Sequence, residues 1–223
     1  MPAPAAKTLF ISDLHLDAAH PGIARQFLAF LDGEAREAAA LYILGDLFEV
    51  WVGDDDPDPA SREIVAALRR LTDGGVPCFV MHGNRDFLLG ERFCRETGAR
   101  LLEDGTVVEL DGERVLLMHG DALCTDDVSY QRLRRILRHP LTRWVFRRMS
   151  LGQRRALARR LRDGSRMHVG ETAPEIMDVN AGSVADAFRR ASTMDGLLRP
   201  HSRASNPRSQ APRPPRNARP RQS

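Results

Sequence analysis

Leu41-Tyr42-Ile43-Leu44-Gly45-Asp46-Leu47-Phe48-Glu49 decides the fold. An apolar run ends on a glycine and a carboxylate, and three further places in the first half repeat the pattern. Thr8-Leu9-Phe10-Ile11 runs into Asp13-Leu14-His15, Phe79-Val80-Met81 into Gly83-Asn84-Arg85-Asp86, and Val115-Leu116-Leu117-Met118 into His119-Gly120-Asp121. Short, mostly apolar runs bounded by turn residues read as buried strands. Asp, His, Asp, Asn and His then project from strand ends, where an α/β fold gathers its ligands. Oxygen and imidazole donors without thiolates suit divalent ions such as Mn²⁺ or Mg²⁺. Asp46, placed to bridge, suits a pair of ions, and such a pair activates water and clamps a phosphoryl group.

Each motif alone says little. A D-x-H pair recurs by chance, Asp after Gly is a common turn or cap, and a lone histidine is more often a satisfied core residue. The four in order, each at a strand end, are far more specific. Arg85 adds a planar fork suited to phosphate.

The surrounding sequence alternates strands and helices. Helices are expected over Pro21 to about Ala39, with Ile23, Phe27, Phe30 and Leu31 on one face, over Ala60 to Leu71, and over Arg92 to Thr97, closed by Gly98. Thr106–Leu110 and Arg114–Met118 read as a hairpin turning at Asp111-Gly112, which suggests a mixed sheet. Ser129 to Leu161 is helical, divided by Pro140, and a core helix is expected from Glu175 to about Ala191.

The 223 residues suffice for one domain, and 42% hydrophobic with 28% charged residues is ordinary for a globular chain. No run is long enough to span a membrane and no signal peptide is apparent, so a cytosolic address is expected. Cys78, Cys94 and Cys124 indicate neither disulfides nor a zinc ribbon. The net charge of +3 hides two biases. From Arg199 onward there are seven arginines and no acid, so the preceding chain carries −4. Between Asp127 and Asp163 there are twelve arginines and no acid. This basic segment needs its own explanation, although a run of arginines is more often a solvated face. Asp54-Asp55-Asp56 lacks calcium-loop spacing and reads as a polar turn facing the substrate. His20, His82, His139 and His168 read as structural or solvated.

This constellation resembles the calcineurin-like metallophosphoesterase superfamily. The longer runs ISDLHL (11–16), ALYILGDLFEVWVGDDDP (40–57), HGNRDFLLGERF (82–93), LLMHGDALCTDD (116–127) and IMDVN (176–180) are similar to its UDP-2,3-diacylglucosamine hydrolase family, over about Thr8 to Phe188. The resemblance implies an α/β (α+β) fold: a metallophosphoesterase β-sandwich flanked by helices, with a helical lid inserted at about 128–165. It implies hydrolysis of the pyrophosphate of UDP-2,3-diacylglucosamine at the α-phosphorus, giving UMP and 2,3-diacylglucosamine 1-phosphate, in lipid A synthesis of Gram-negative bacteria. It also implies two Mn²⁺ ions, one on Asp13, His15 and Asp46, the other on Asp46, Asn84 and His119. Asn84 and Arg85 would be the catalytic residues, and Asn84, Arg85, Asp127 and Ser165 the substrate contacts. The partners implied are a lipid-linked nucleotide and an anionic membrane surface, with no nucleic acid and no obligate protein partner. The address implied is the cytoplasmic face of the inner membrane, held peripherally.

The resemblance breaks at one place. The family pattern has G-H-T-H after the IMDVN helix, where this chain reads Leu198-Arg199-Pro200-His201-Ser202-Arg203. Codons for residues 199–203 can spell Gly-His-Thr-His when read one base later, so a frameshift between Ala191 and Leu197 is expected; the other reading is a genuine disordered Arg/Pro-rich tail over 199–223. Either leaves each ion one ligand short and the last core strands missing, so the literal chain is expected to fold poorly and turn over little substrate. The competing functions are another calcineurin-like phosphoesterase, or a non-catalytic protein binding membrane or nucleic acid through arginine. The tail arginines have no interleaved aromatics on which bases could stack.

Overall fold

The computed structural model describes residues 6–56, 58–171 and 180–193, with side chains omitted for 163–171, 181 and 193. Four short strands, β1 (Thr8–Ile11), β2 (Ala40–Ile43), β3 (Cys78–Met81) and β4 (Arg100–Leu102), form a parallel sheet in chain order. Their register sets Ile11 beside Ile43 and Ile43 beside Val80, so the strand-end motifs emerge at one edge. β5 (Thr106–Leu110) and β6 (Glu113–Leu117) form a separate antiparallel pair. The expected mixed sheet is therefore two sheets. Only 103–105 separate β4 from β5, and Gly105 N–H donates to Leu117 O (3.0 Å), which turns the chain out of the first sheet. β4, with three residues, is too short to show an alternation. The hairpin turn is as expected: Asp111 (φ 51°) and Gly112 (φ 87°) both take the left-handed conformation that a two-residue turn needs.

Each face of the parallel sheet is covered by a different layer. Helices α1 (Pro21–Asp32), α2 (Pro59–Asp73) and α3 (Glu91–Thr97) pack Phe27, Leu31, Ile64, Leu68 and Phe93 against Leu41, Ile43 and Val80. Alternate strand residues Tyr42 and Met81 face the other way and meet Leu102, Leu117, Val108 and Val115. The two sheets thus pack as a small sandwich with helices outside. α1 is shorter than its pattern suggests. It stops at Asp32, Gly33 breaks the helical dihedrals, and a 3₁₀ turn (Glu34–Glu37) leads into β2, while Ile23 is left exposed. α2 opens on Asp58, whose carboxylate accepts from Ser61 N–H (2.9 Å), and α3 closes on left-handed Gly98, as expected.

The basic segment forms α4 (Val128–Arg138), α5 (Pro140–Arg148) and α6 (Leu151–Glu171). Pro140 starts α5, and His139 caps it by accepting Leu141 N–H (3.2 Å). Phe146 meets Phe87 edge to face (5.9 Å), joining this layer to the core. Asp54-Asp55-Asp56 forms a joint between α3 and α6. Asp54 accepts from Gly90, Arg92 and Phe93 N–H at the head of α3. Asp55 takes both terminal guanidinium nitrogens of Arg154, and Asp56 pairs with Arg155. Finally α7 (Ala181–Thr193) is opened by Asn180, whose Oδ1 accepts Ser183 N–H (3.2 Å). Residues 172–179 and everything from 194 onward, with the expectations placed on His201 and the tail, lie outside the described residues.

Candidate metal centre

Beyond their strands, the first two motifs continue side by side. Asp13 N–H donates to Gly45 O (3.1 Å), His15 N–H to Asp46 O (3.0 Å) and Leu16 N–H to Leu47 O (3.0 Å). This forces Asp13 (φ 55°), His15 (φ 48°) and Asp46 (φ 51°) into the left-handed region, unfavourable for residues with a Cβ. Three such residues at one sheet edge are backbone strain held where chemistry is expected. The glycines are dictated by close approach. A Cβ on Gly45 would meet His119 Nδ1 at 2.5 Å, and one on Gly83 would collide with the Asp46 backbone and carboxylate.

One carboxylate oxygen is the focus. Asp46 is 2% exposed, and its Oδ2 lies 3.8 Å from Nε2 of both His15 and His119. That is too long for a hydrogen bond and leaves room for a cation between them. Asp13, Asp46 and His119 each bring a ligand atom within 4.8 Å of the other two. His119 Nδ1 faces Leu44 O at 2.9 Å, so that nitrogen carries the proton and Nε2 presents its lone pair toward Asp46. Burial pushes the Asp46 carboxyl up, offset by the Arg85 N–H that its Oδ1 accepts (2.9 Å) and by the two imidazoles. Asp86, wholly buried, braces the same loops by accepting Leu47 and Gly83 N–H (2.8 Å each), and burial pushes it to about 6. A buried carboxylate flanked by two imidazole lone pairs is a donor set that fits a divalent cation.

Glu49 ties the rim together, with Oε2 3.2 Å from His15 Nδ1 and Oε1 accepting from Arg85 Nη1 (3.1 Å). It stood inside the Gly45–Glu49 motif without a role, because only the fold shows that it spans His15 and Arg85. Asn84 Nδ2 donates to the Tyr130 hydroxyl (3.2 Å), which donates to Asp121 Oδ2 (3.2 Å). Asp121 also pairs with Arg138 (2.8 Å) and Arg134 (2.9 Å), and Arg134 reaches Asp104 (2.7 Å), which accepts His119 N–H (3.1 Å). Asp104 and Tyr130 carry no local signal in the sequence. Asp127 caps α4 by accepting Tyr130 N–H (2.9 Å). Ser165 lies on α6, with its side chain outside the described residues. His82 bonds Leu89 O (2.8 Å) and burial lowers it to about 4, so it is structural, as expected.

A groove of about 370 Å³ opens beside these groups. Its walls run from Asn84, Arg85 and Glu49 to Trp51 and Phe87 of the core and Leu133, Leu137 and Phe146 of α4 and α5.

A helix-flanked sheet with carboxylates and imidazoles at its strand ends defines a metal-dependent phosphoesterase, and the calcineurin-like phosphoesterase profile matches residues 6–155. The chain is 57% identical to the UDP-2,3-diacylglucosamine hydrolase of Pseudomonas paraeruginosa over 82% of its length and 76% of that protein. It is 52% identical to the hydrolase of that name from Escherichia coli O81, again over 82% and 76%. The chain belongs to the calcineurin-like phosphoesterase family, within its UDP-2,3-diacylglucosamine hydrolase branch. Membership implies divalent metal ions, and the Asp13, Asp46 and His119 cluster is where they fit.

Proposed function

We propose that the chain hydrolyses the pyrophosphate of UDP-2,3-diacylglucosamine, water breaking the P–O bond at the α-phosphorus to release UMP and 2,3-diacylglucosamine 1-phosphate. The observation that carries this reading is the groove: phosphate-competent groups, Asn84 and Arg85, stand at one end and apolar residues of two layers line the rest. A nucleotide joined to a lipid needs both, and the names of the relatives support the same substrate.

Two Mn²⁺ ions would be held, one by Asp13, His15 and Asp46 and the other by Asp46, Asn84 and His119, each one ligand short of the family pattern. When bound, such a pair supplies an activated water and positive charge at the phosphoryl group. The side chains do the rest. Asp46 would serve both ions, so its loss would empty both positions. Arg85, held by Glu49 at the groove mouth, offers its fork to the charge growing on phosphate. Leu133, Leu137 and Phe146 take the acyl chains out of water. Residues 1–198 form the catalytic domain, with 128–165 as a lid. Its outer surface exposes Ile136, Leu141, Trp144 and Val145 among arginines, which supports peripheral contact with anionic lipid on the cytoplasmic face of the inner membrane. No described helix is long and apolar enough to cross a membrane.

The test compares UMP release from the lipid-linked substrate with release from UDP-glucose at equal concentration. The lipid-linked substrate is expected to turn over at least tenfold faster, and Asp46→Ala to abolish turnover. Equal rates on both would overturn the lipid assignment, and full activity of Asp46→Ala would overturn the shared-ligand role.

A further inference from the structure

The supports behind the two halves of the centre come from different parts of the molecule. Asp13 and His15 are tied to the strand-end loops by their backbone bonds to Gly45 and Asp46 and by the pairing of His15 with Glu49. Asn84 and His119 are tied to α4. Asn84 reaches it through the Tyr130 hydroxyl; His119 reaches it through its backbone N–H on Asp104 and the Asp104–Arg134 pair, while its ring is held by Leu44 O beyond β2. Asp121 closes the network, receiving Tyr130, Arg134 and Arg138 from three turns of the same helix.

The direction of these bonds matters. Asp121 Oδ2 is a carboxylate oxygen and can only accept, so the Tyr130 O–H donates to it and the phenol lone pair is left for Asn84 Nδ2. Committing the amide nitrogen to Tyr130 leaves the Asn84 carbonyl oxygen as the atom available for a cation. Without the hydroxyl, the amide loses the bond that selects this orientation. Arg134 and Asp104 likewise fix the backbone from which His119 projects.

We infer that α4 is the support of one ion only: Tyr130 and Arg134 are positioning residues for Asn84 and His119, while the ion on Asp13 and His15 is held independently of the lid. This rests on the ligand assignment proposed above. Tyr130, Leu133 and Leu137 of α4 also line the groove. A ligand that steadies α4 therefore tightens the second ion, and by linkage that ion tightens the ligand to the same degree.

The test is Mn²⁺ titration of the full chain, following free Mn²⁺ by electron paramagnetic resonance and heat by calorimetry, for wild type, Tyr130→Phe and Arg134→Gln. Circular-dichroism melting checks that each variant is folded, and Arg134→Gln carries the test if Tyr130→Phe is insoluble. Wild type is expected to bind two ions, each more weakly than a complete ligand set would hold it. Each variant is expected to keep one at unchanged affinity and to bind the other at least tenfold more weakly, losing the exchange-coupled signal of a Mn²⁺ pair at concentrations that saturate wild type. Equal weakening of both ions, or no weakening, would overturn the inference while leaving the metal centre standing. A wild-type chain that binds no Mn²⁺ would overturn the metal centre itself, and the inference with it.

Discussion

His15 offers its two ring nitrogens to different partners, Nδ1 to Glu49 at 3.2 Å and Nε2 toward Asp46 at 3.8 Å. Nδ1 makes no hydrogen bond among the described residues, so Glu49 acts on the imidazole through its nearby negative charge, which favours a cation at Nε2. The other oxygen of Glu49 holds Arg85, so one side chain organises both a proposed metal ligand and a proposed phosphate contact. Glu49→Gln keeps the size of the side chain and removes the charge. It is expected to lower Mn²⁺ affinity about 10- to 100-fold, measured by titration, and to raise KM as Arg85 loses its partner. Unchanged affinity would show that Glu49 serves Arg85 alone.

At the scale of elements, α6 is held to the core by acids that the sequence presents as an undifferentiated run. Arg154 is buried and reaches both Asp55 oxygens and Val52 O (2.7 Å), and Gly53 is required because a Cβ there would collide with the same guanidinium. The Arg154 hydrogen bonds hold the Asp55 carboxyl below the usual carboxylate range. A lowered native value means that the pair contributes in full above the unfolded carboxylate value of about 4 and is lost as pH falls through the lowered one. Amide-exchange protection of residues 151–162 is therefore expected to be flat from pH 7 to about 5 and to fall only in stronger acid. Asp55→Asn should reduce protection already at pH 7, by about 1 kcal/mol at most because Asp55 is largely solvated. Protection that falls between pH 7 and 5 would assign the joint to another group.

For the whole molecule, the strained strand ends and the buried Asp46 are arrangements that a bound cation rewards. A ligand that binds the folded chain alone stabilises it by about 2.7 kcal/mol at 100 times its Kd, which for a chain of this size raises Tm by roughly 5–10 °C. Mn²⁺ is expected to give a rise of this order and EDTA to reverse it, while Asp46→Ala should show none. A rise in Tm that survives Asp46→Ala would place the stabilising ion elsewhere. On the opposite face, Phe10, Tyr42 and Phe79 stack in a row across β1, β2 and β3 (5.0 and 4.7 Å), and Phe10, on the outermost strand among the described residues, is 41% exposed.

The sequence by itself determined the strands that carry Asp13, His15, Asp46, Asn84 and His119, because an apolar run ending in Gly or Asp is a local pattern with a local cause. It likewise determined the helical insert and the Asp111-Gly112 turn, since those rest on residue spacing along the chain, and its longer runs carried the resemblance to the family. Only the tertiary structure decided that the strands divide into two sheets, that α1 stops at Gly33, and that Glu49, Asp104, Asp121 and Tyr130 belong to the centre. Glu49 meets Arg85 from 36 positions away and Tyr130 meets Asn84 from 46, separations at which no periodicity survives. Their roles come from which surfaces the packed layers bring together, and that is settled by the burial of Phe27, Leu41, Phe87 and Phe146 rather than by the polar residues that packing aligns.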